Sequence, residues 1–260
     1  MAVWGTASAI HALVVGGNGG IGREFVRQLL AEPMVQRVYA TYRDRATATD
    51  LFKLTAGQGD RLVLLPLDIL NEAQIQATVN TIQQTSPQLQ LVINCVGILH
   101  GAPQGEPIQP EKRLRQVNLD QLTTYFQINA AGAVLLAKHL LPLLKHGEPS
   151  VFATISAKIG SIGDNFLGGW YGYRASKAAL NMLMRTTAIE YHRQAPQVII
   201  ANLHPGTTDT RLSEPFQRNV PPEKLFSSER TVSQLLQVIA ALTPDDHGEF
   251  FNWDGTRLPW

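Results

Sequence analysis

The stretch HALVVGGNGGIG, residues 11–22, decides the fold, because an apolar run leads directly into a glycine-rich turn. The run predicts a buried strand, and the following GIGREFVRQLLAE predicts a helix with Phe25, Leu29 and Leu30 on one face. Glycines let the backbone approach a pyrophosphate without Cβ atoms in the way, and the helix N-terminus offers free N–H groups. The turn fits both G-x-x-x-G-x-G from Gly16 and G-x-G-x-x-G from Gly17. It predicts a dinucleotide-binding turn, with a plain tight turn as the alternative.

Short apolar runs and longer helical patterns alternate along the rest of the chain. Strands are predicted at 36–43, 61–68, 89–97, 150–156, 197–206 and near 249, and helices at 48–56, 71–84 (with Asn71 as N-cap), about 110–144, 170–194 and about 231–242. The strands are apolar on nearly every residue, as expected for a parallel sheet that is covered on both faces. The pattern predicts one α/β domain over residues 1–260, built on a Rossmann-type, doubly wound parallel sheet. The irregular segment near 205–229 has about the length of an active-site lid.

Composition excludes several classes of protein. Of the 260 residues, 44% are hydrophobic and 17% are charged, which excludes a disordered chain. The net charge of +1 gives no electrostatic footprint for nucleic acid or an anionic membrane. The single cysteine, Cys95, excludes an intrachain disulfide and a multi-cysteine metal site. The seven histidines show no H-E-x-x-H spacing, so no metal is predicted.

Signals for export or membrane insertion are not found in the sequence. Residues 1–10 contain no lysine or arginine, which the n-region of a signal peptide would carry. The most apolar long stretch, AAGAVLLAKHLLPLL, is interrupted by Lys138, His139 and Pro142 and is shorter than a span of about 20 apolar residues. We therefore expect a cytoplasmic protein.

The second predicted strand ends in TYRDR, where the ribose of a bound dinucleotide would lie. An acidic residue at this point binds the 2′-hydroxyl of NAD, whereas an arginine accommodates the 2′-phosphate of NADP. Arg43 comes first and Asp44 second, and a guanidinium suits a phosphate by charge and by its forked donors. Because Arg43 precedes Asp44 at the end of the strand, the sequence favours NADP, with NAD less favoured. The alternative is that Arg43 is an ordinary surface charge, paired or not with Asp44.

Tyr173 and Lys177 are four residues apart in a helical pattern and therefore share one helix face. A tyrosine hydroxyl, with a reference pKa near 10, is a poor acid or base at neutral pH. A nearby ammonium favours the phenolate and lowers that pKa, which makes proton exchange with a carbonyl or an alcohol feasible. The pair predicts a proton donor, although Y-x-x-x-K also occurs by chance in helices.

These motifs resemble the short-chain dehydrogenase/reductase family over nearly the whole chain. The family's T-G-x-x-x-G-I-G resembles VGGNGGIG, with Val15 in place of threonine, and its N-N-A-G resembles residues 94–97, NCVG. Its Y-x-A-S-K resembles residues 173–177, YRASK, and its P-G-x-x-x-T resembles residues 205–210, PGTTDT. The stretch GSIGDNFLGGWYGYRASKAALNM looks most like the C-factor-like and carbonyl reductase branch.

The resemblance implies a role for each matching residue. Tyr173 would donate a proton to the substrate oxygen, Lys177 would bind the nicotinamide ribose and lower the tyrosine pKa, and Asn129 would hold a water in a proton relay. The implied cofactor contacts are Gly16, Asn18, Gly20, Ile21, Gly22, Arg43, Asp68, Ile69, Asn94, Val96, Gly97, Tyr173, Lys177, Pro205, Gly206, Thr208 and Thr210. The family also uses its two long helices for subunit contacts, which implies a homodimer or homotetramer.

The sequence departs from the family at the catalytic serine. The family usually shows S-x-x-G after the fifth strand, and that register places Ala157 where the serine belongs. Ser156 lies one residue earlier, and a shift of one residue turns a side chain to the opposite side. We include Ser156 as a candidate that a local backbone change would bring into place. A second departure is Gly19, where NADP-preferring relatives often carry a basic residue, so Arg43 would hold the phosphate alone.

Together these features predict an NADPH-dependent oxidoreductase that reduces a small, largely apolar carbonyl to an alcohol, or the reverse. The alternative is a regulatory or scaffold protein of the same fold that binds NADP and has weakened or lost catalysis, as Ala157 suggests. An epimerase or dehydratase is disfavoured, because no sugar-nucleotide pocket is evident. Phe166, Leu167, Trp170 and Phe216 are candidates for an apolar substrate wall, or for ordinary packing.

Overall fold

The structure is a computed structural model that describes residues 9–103 and 105–260. Residues 1–8, which include most of the segment used above to argue against a signal peptide, lie outside the described residues. Seven parallel strands form one sheet: β1 (Ile10–Val15), β2 (Val35–Tyr42), β3 (Leu62–Pro66), β4 (Leu91–Asn94), β5 (Ser150–Ile155), β6 (Val198–His204) and β9 (Glu249–Asn252). Their order across the sheet is β3-β2-β1-β4-β5-β6-β9. Two short strands, β7 (Thr207–Thr208) and β8 (Leu225–Phe226), pair with each other outside this sheet.

Helices cover both faces of the sheet, as the apolar strands predict. They are α1 (Gly20–Ala31), α2 (Thr49–Lys53), α3 (Glu72–Thr85), α4 (Leu119–Phe126), α5 (Gly132–Leu144), α6 (Tyr171–Gln194) and α7 (Ser228–Ala241). One core cluster lies between the sheet and the α1–α7 side, and a second lies between the sheet and the side of α3, α5 and α6. The predicted doubly wound α/β fold is confirmed. The predicted N-cap is also confirmed, because Asn71 Oδ1 accepts a 3.1 Å hydrogen bond from Gln74 N.

The predicted helix over 110–144 differs from the structure in two ways. Residues 110–118 are not α-helical, and α4 begins only after Asn118, whose Oδ1 accepts from Gln121 N at 2.9 Å. A π-helical turn, Gln127–Ala131, then separates α4 from α5. Such turns insert one residue into a helix and frequently occur at functional sites.

Taken together, Leu119–Leu144 is a helical segment of 26 residues that is long and apolar enough, by those two criteria, to cross a membrane. About 56% of its most apolar part is buried within the fold. The side of α5 that faces the sheet belongs to a core cluster, through Ala133, Leu136, Leu140 and Leu143. The segment therefore packs as a core helix of this domain.

The strand order reverses between β1 and β4, which lie side by side and continue in opposite directions across the sheet. In open α/β sheets, ligands bind outside the carboxyl ends of the strands at such a switch point. The glycine-rich turn follows β1, and the segments after β4, β5 and β6 emerge at the same edge. The topology therefore gathers four of the sequence motifs at one end of the sheet.

Candidate active site

The glycine-rich turn after β1 is tightly packed against both its own helix and a neighbouring strand. Gly16 has a φ of +80°, a conformation that favours glycine. Its N–H donates to Thr41 Oγ1 at 3.0 Å, and the Gly17 N–H donates to Thr41 O at 2.8 Å. A Cβ added at Gly22 would lie 2.2 Å from Gly16 O, so α1 can start this close only because residue 22 is glycine. The helix N-terminus is thereby held directly against the turn.

The other residues of this turn that the sequence singles out lie close to the same segments. Asn18 is half-buried, and Ile21 packs against the core on the α1 side. A Cβ added at Gly20 would lie 2.7 Å from Thr210 Cγ2. The segment after β6 therefore touches the start of α1 beside the turn.

Arg43 directly follows β2, and its side chain is exposed. No hydrogen bond or ion pair engages that side chain within the described parts of the chain, whereas its neighbours are engaged. Asp44 Oδ1 accepts from Ala46 N at 2.9 Å and so caps the next turn, and the Arg45 guanidinium lies 4.2 Å from the centroid of the Phe52 ring. The proposed pairing of Asp44 with Arg43 is therefore not formed. Arg43 is free to bind an anion.

Short polar contacts hold the segments after β3 and β4. Asp68 Oδ1 accepts from Leu70 N at 3.0 Å, and Asn94 Oδ1 accepts from Val96 N at 3.1 Å. Ile69 packs on α5, since a Cβ added at Gly132 would lie 2.8 Å from Ile69 Cγ1. These contacts fix the two segments that carry the implied cofactor contacts Asp68, Ile69, Asn94 and Val96.

Asn129 lies in the π-helical turn, and its side-chain amide joins two segments. Its Oδ1 accepts from Ile98 N at 2.7 Å, while its Nδ2 donates to Ile98 O at 3.0 Å and to Ser176 Oγ at 3.0 Å. A Cβ added at Gly97 would lie 3.3 Å from Lys177 Nζ and 3.5 Å from Asn129 Oδ1. Gly97, Asn129 and Lys177 therefore converge, as the sequence predicts.

Lys177 and Tyr173 are both buried on the inner face of α6. Lys177 Nζ donates to Ile155 O at 3.0 Å and lies 6.0 Å from the centroid of the Tyr173 ring. Burial lowers the pKa of Lys177 to about 8. Burial also raises the pKa of Tyr173 well above its usual value. The expected lowering of the Tyr173 pKa by Lys177 is thus not found, because desolvation of the phenol dominates. The phenol is protonated at neutral pH.

The end of β5 places Ser156 and Ala157 in different surroundings. Ser156 is buried, and its Oγ donates to Asn181 Oδ1 on α6 at 2.7 Å. Ala157 instead belongs to the apolar cluster that contains Tyr173. The hydroxyl of Ser156 is therefore engaged by α6, and the residue beside Tyr173 has no hydroxyl. The backbone keeps the alternation expected from the strand, so Ser156 is not brought into the catalytic position.

Aromatic side chains line the site next to Tyr173. The ring centroid of Trp170 lies 6.2 Å from that of Tyr173 and 4.9 Å from that of Phe216. His100, which the sequence analysis did not single out, contacts Phe216 at 5.8 Å, and its Nε2 is 3.0 Å from Arg211 O. By contrast, Phe166 and Leu167 are 87% and 93% exposed and are not part of this wall.

The segment over 205–229 is anchored at both ends. Thr208 Oγ1 is hydrogen-bonded to Thr231 Oγ1 of α7 at 2.9 Å. Gly206 follows Pro205 with a φ of +73°, and a Cβ added there would lie 2.7 Å from Phe226 Cε2. Between the anchors, a 3₁₀ turn (Glu214–Asn219) carries Phe216 over Trp170. The segment therefore covers the aromatic wall.

Comparison with known proteins identifies the family of the chain. The sequence profile of the short chain dehydrogenase family matches residues 10–221. A 1-hydroxy-2-glutathionyl-2-methyl-3-butene dehydrogenase from a Rhodococcus species is 27% identical over 253 residues, covering 95% of this chain and 98% of that protein.

Two solved structures share the whole fold. The NADPH-bound carbonyl reductase from chicken fatty liver superimposes with a TM-score of 0.85 at 29% identity, over 98% of this chain and all of that one. The carbonyl reductase Sniffer of Drosophila melanogaster gives a TM-score of 0.84 at 27% identity, over 97% of this chain and all of that one. With the profile match over most of its length, the chain belongs to the short-chain dehydrogenase/reductase family of NAD(P)-dependent oxidoreductases.

Proposed function

We propose that this protein is an NADPH-dependent carbonyl reductase in which Tyr173 is the proton donor. The observation that carries the proposal is the convergence of Tyr173, Lys177 and Asn129 near Gly97, at the sheet edge that also holds the glycine-rich turn. Similarity to two carbonyl reductases supports the reaction type.

The chain fits a dinucleotide phosphate. Gly16 and Gly22 let α1 start directly against the turn, which places the N-terminus of α1 beside the backbone of the turn, where a pyrophosphate would bind. Arg43 supplies an unengaged guanidinium after β2, which suits a 2′-phosphate. NADPH is bound in the similar chicken enzyme, which supports NADP over NAD.

When it is bound, the cofactor supplies a hydride to the carbonyl carbon. Tyr173 then donates its phenolic proton to the carbonyl oxygen. Because burial raises the pKa of this phenol, Tyr173 carries the proton that reduction requires. The Lys177 ammonium, close to the ring, offsets the negative charge that develops on the phenol as the proton leaves. Asn129 keeps the segment around Ile98 against α6 and thus holds the site in shape.

A second candidate function is a regulatory or scaffold protein that binds NADP without turnover. The specific observation in its favour is Ala157, which leaves Tyr173 as the hydroxyl donor beside the carbonyl. Loss of one polarising donor typically costs about 2.7–4 kcal/mol of transition-state stabilisation. That loss slows a reductase without abolishing it, so we favour the enzyme.

We also propose a homo-oligomer in the cytoplasm. The exposed sides of α4 and α6 carry large apolar side chains, among them Leu119 and Met182, which are 75% and 67% exposed. Burying such residues between copies of the chain is favourable. The single cysteine fits a reducing compartment. Light scattering coupled to size exclusion tests the oligomer, and a monomer at micromolar concentration would contradict it.

The experiment for the proposed function is NADPH oxidation across a panel of small ketones and aldehydes, with a blank that lacks the carbonyl. Carbonyl-dependent oxidation with formation of one alcohol per NADPH supports the reductase. Saturable NADPH binding with no turnover on any member, by this chain and by Ala157→Ser, supports the scaffold protein instead.

A further inference from the structure

Glu111 is a buried carboxylate that the reaction described above does not use. It is 2% exposed and lies in the non-helical segment before α4. Its carboxylate accepts hydrogen bonds from Gln121 Nε2 at 2.6 Å and from Gly172 N at 3.1 Å. Its backbone carbonyl accepts from Trp170 N at 2.5 Å. Glu111 therefore contacts the first turn of α6 through both its side chain and its backbone.

The first turn of α6 needs such a partner. Trp170, the residue that precedes α6, provides no side-chain cap, so the first N–H groups lack the usual acceptor. Trp170 also has a φ of +53°, the left-handed region that bulky side chains rarely adopt. The Trp170 N–H donates to Glu111 O, and the Gly172 N–H donates to the Glu111 carboxylate. These two hydrogen bonds hold the chain on both sides of the turn. A carboxylate is also the charge that a helix N-terminus favours.

The conformation of this turn determines where two residues of the site lie. Tyr173 follows Gly172 directly, and its ring meets that of Trp170 at 6.2 Å. Trp170 in turn meets Phe216 at 4.9 Å. The fit at Gly172 is tight, because a Cβ there would lie 2.4 Å from Tyr125 Cδ2 and 3.0 Å from Glu111 Oε1. A displacement of Glu111 would therefore move the proton donor and the aromatic wall together.

We propose that Glu111 is a positioning residue for the reduction: it fixes the first turn of α6 and thereby orients Tyr173 and Trp170. It acts through these two residues and does not touch the reacting atoms. This inference rests on the reductase function proposed above.

The test compares Glu111→Ala, Glu111→Asp and Glu111→Gln with the parent and with Glu106→Gln, an exposed carboxylate on the same segment. The readout is kcat per NADPH-binding site, with sites counted by NADPH titration, so that loss of folded protein does not count as loss of rate. For Glu111→Ala we expect kcat per site to fall by about 10²-fold, because a small misplacement of a catalytic group has effects of this size. The Kd for NADPH should change less than about twofold, since most of the implied cofactor contacts lie on other segments and Lys177 lies one turn further along α6.

Glu111→Gln tests the mechanism of positioning. Its single amide oxygen can take the place of Glu111 Oε2 and accept the Gly172 N–H, at the expense of the bond from Gln121 Nε2. We therefore expect it to recover at least about tenfold of the rate lost in Glu111→Ala. Glu111→Asp keeps the charge but withdraws the carboxylate by one methylene, and it should be slower than the parent. The emission of Trp170, obtained by subtracting the spectrum of the matching Trp170→Phe chain, should shift to the red in Glu111→Ala and Glu111→Asp.

Three results would overturn the inference. The first is that Glu111→Ala keeps the parental kcat per site. The second is that Glu111→Gln is no faster than Glu111→Ala. The third is that Glu111→Asp keeps both the parental rate and the parental Trp170 emission. The last comparison remains decisive if Glu111→Ala does not fold. A parent that reduces no carbonyl would instead reject the proposed function, and the Trp170 spectra would then test the contact between Glu111 and α6 by themselves.

Discussion

Ser156 Oγ donates a 2.7 Å hydrogen bond to Asn181 Oδ1, and this bond ties the end of β5 to the middle of α6. The strand alternation then turns the next residue, Ala157, towards Tyr173. The cluster around Tyr173 therefore receives a methyl group from β5, while the hydroxyl of Ser156 is engaged by α6.

This arrangement predicts that Ala157→Ser raises kcat. A serine at 157 would add a second donor to the carbonyl oxygen, worth up to about 10²–10³-fold. Steady-state reduction of one carbonyl by both chains measures the gain. The control, Ser156→Ala, should keep kcat within about threefold and lower the stability by about 1 kcal/mol, because Asn181 loses its partner. If Ser156→Ala lost much of its kcat and Ala157→Ser gained none, Ser156 would be the residue that assists the reaction, and this prediction would be wrong.

Arg43 is expected to select the cofactor. Arg43→Ala should weaken NADPH binding by about tenfold or more and leave NADH binding almost unchanged, because only NADPH presents the 2′-phosphate. Arg45→Ala is the matched control, since the Arg45 guanidinium already lies on the Phe52 ring. Fluorescence titration with NADPH and with NADH gives two affinities for each chain. Equal losses of NADPH and NADH in Arg43→Ala would remove Arg43 from the phosphate site.

The glycine-rich turn offers a paired test of close packing. Gly22→Ala should abolish NADPH binding or unfold the protein, because the added Cβ would lie 2.2 Å from Gly16 O. Gly19→Ala should be tolerated, because its Cβ would lie 3.5 Å from the same oxygen, an ordinary contact. Thermal unfolding with and without NADPH compares the two. Similar behaviour of both variants would mean that the turn does not have this geometry.

The pH dependence should follow Lys177. Burial lowers the pKa of this lysine to about 8, so its ammonium is present below that pH and is lost above it. Without the ammonium, negative charge on the departing Tyr173 phenol is less stabilised, so kcat/KM for NADPH should fall about tenfold per pH unit above 8. Tyr173 itself stays protonated in this range, because burial raises its pKa. A profile that stays flat to pH 9.5 would contradict this role of Lys177.

Most of the fold follows from local pattern in the sequence. The run 36–43 is apolar enough to predict β2, which spans Val35–Tyr42, and 71–84 predicts α3 with its Asn71 cap. The glycine turn predicts the switch point, because a strand, a turn and a helix lie next to each other in the chain. The position of Arg43 could also be predicted from the sequence, since it directly follows a strand.

Features that depend on contacts between distant segments could not be predicted from local sequence patterns. The apolar pattern over 110–144 predicts one helix. In the structure, α4 begins only after its N-cap Asn118, and residues 110–118 are not α-helical. Glu111 is 61 residues from Gly172, and no local pattern links them. The upward direction of the Tyr173 pKa also depends on such contacts, because spacing reveals the neighbouring lysine but not how completely the phenol is buried.

The central claim is that Tyr173 donates the proton. The measurement is the rate of carbonyl-dependent NADPH oxidation by Tyr173→Phe, with NADPH affinity determined on the same sample and with Tyr171→Phe, an exposed tyrosine on the same turn, as the control. We predict that Tyr173→Phe binds NADPH with affinity close to that of the parent and loses at least about 10²-fold in kcat, while Tyr171→Phe keeps the parental rate. A Tyr173→Phe protein that oxidises NADPH as fast as the parent would contradict the account.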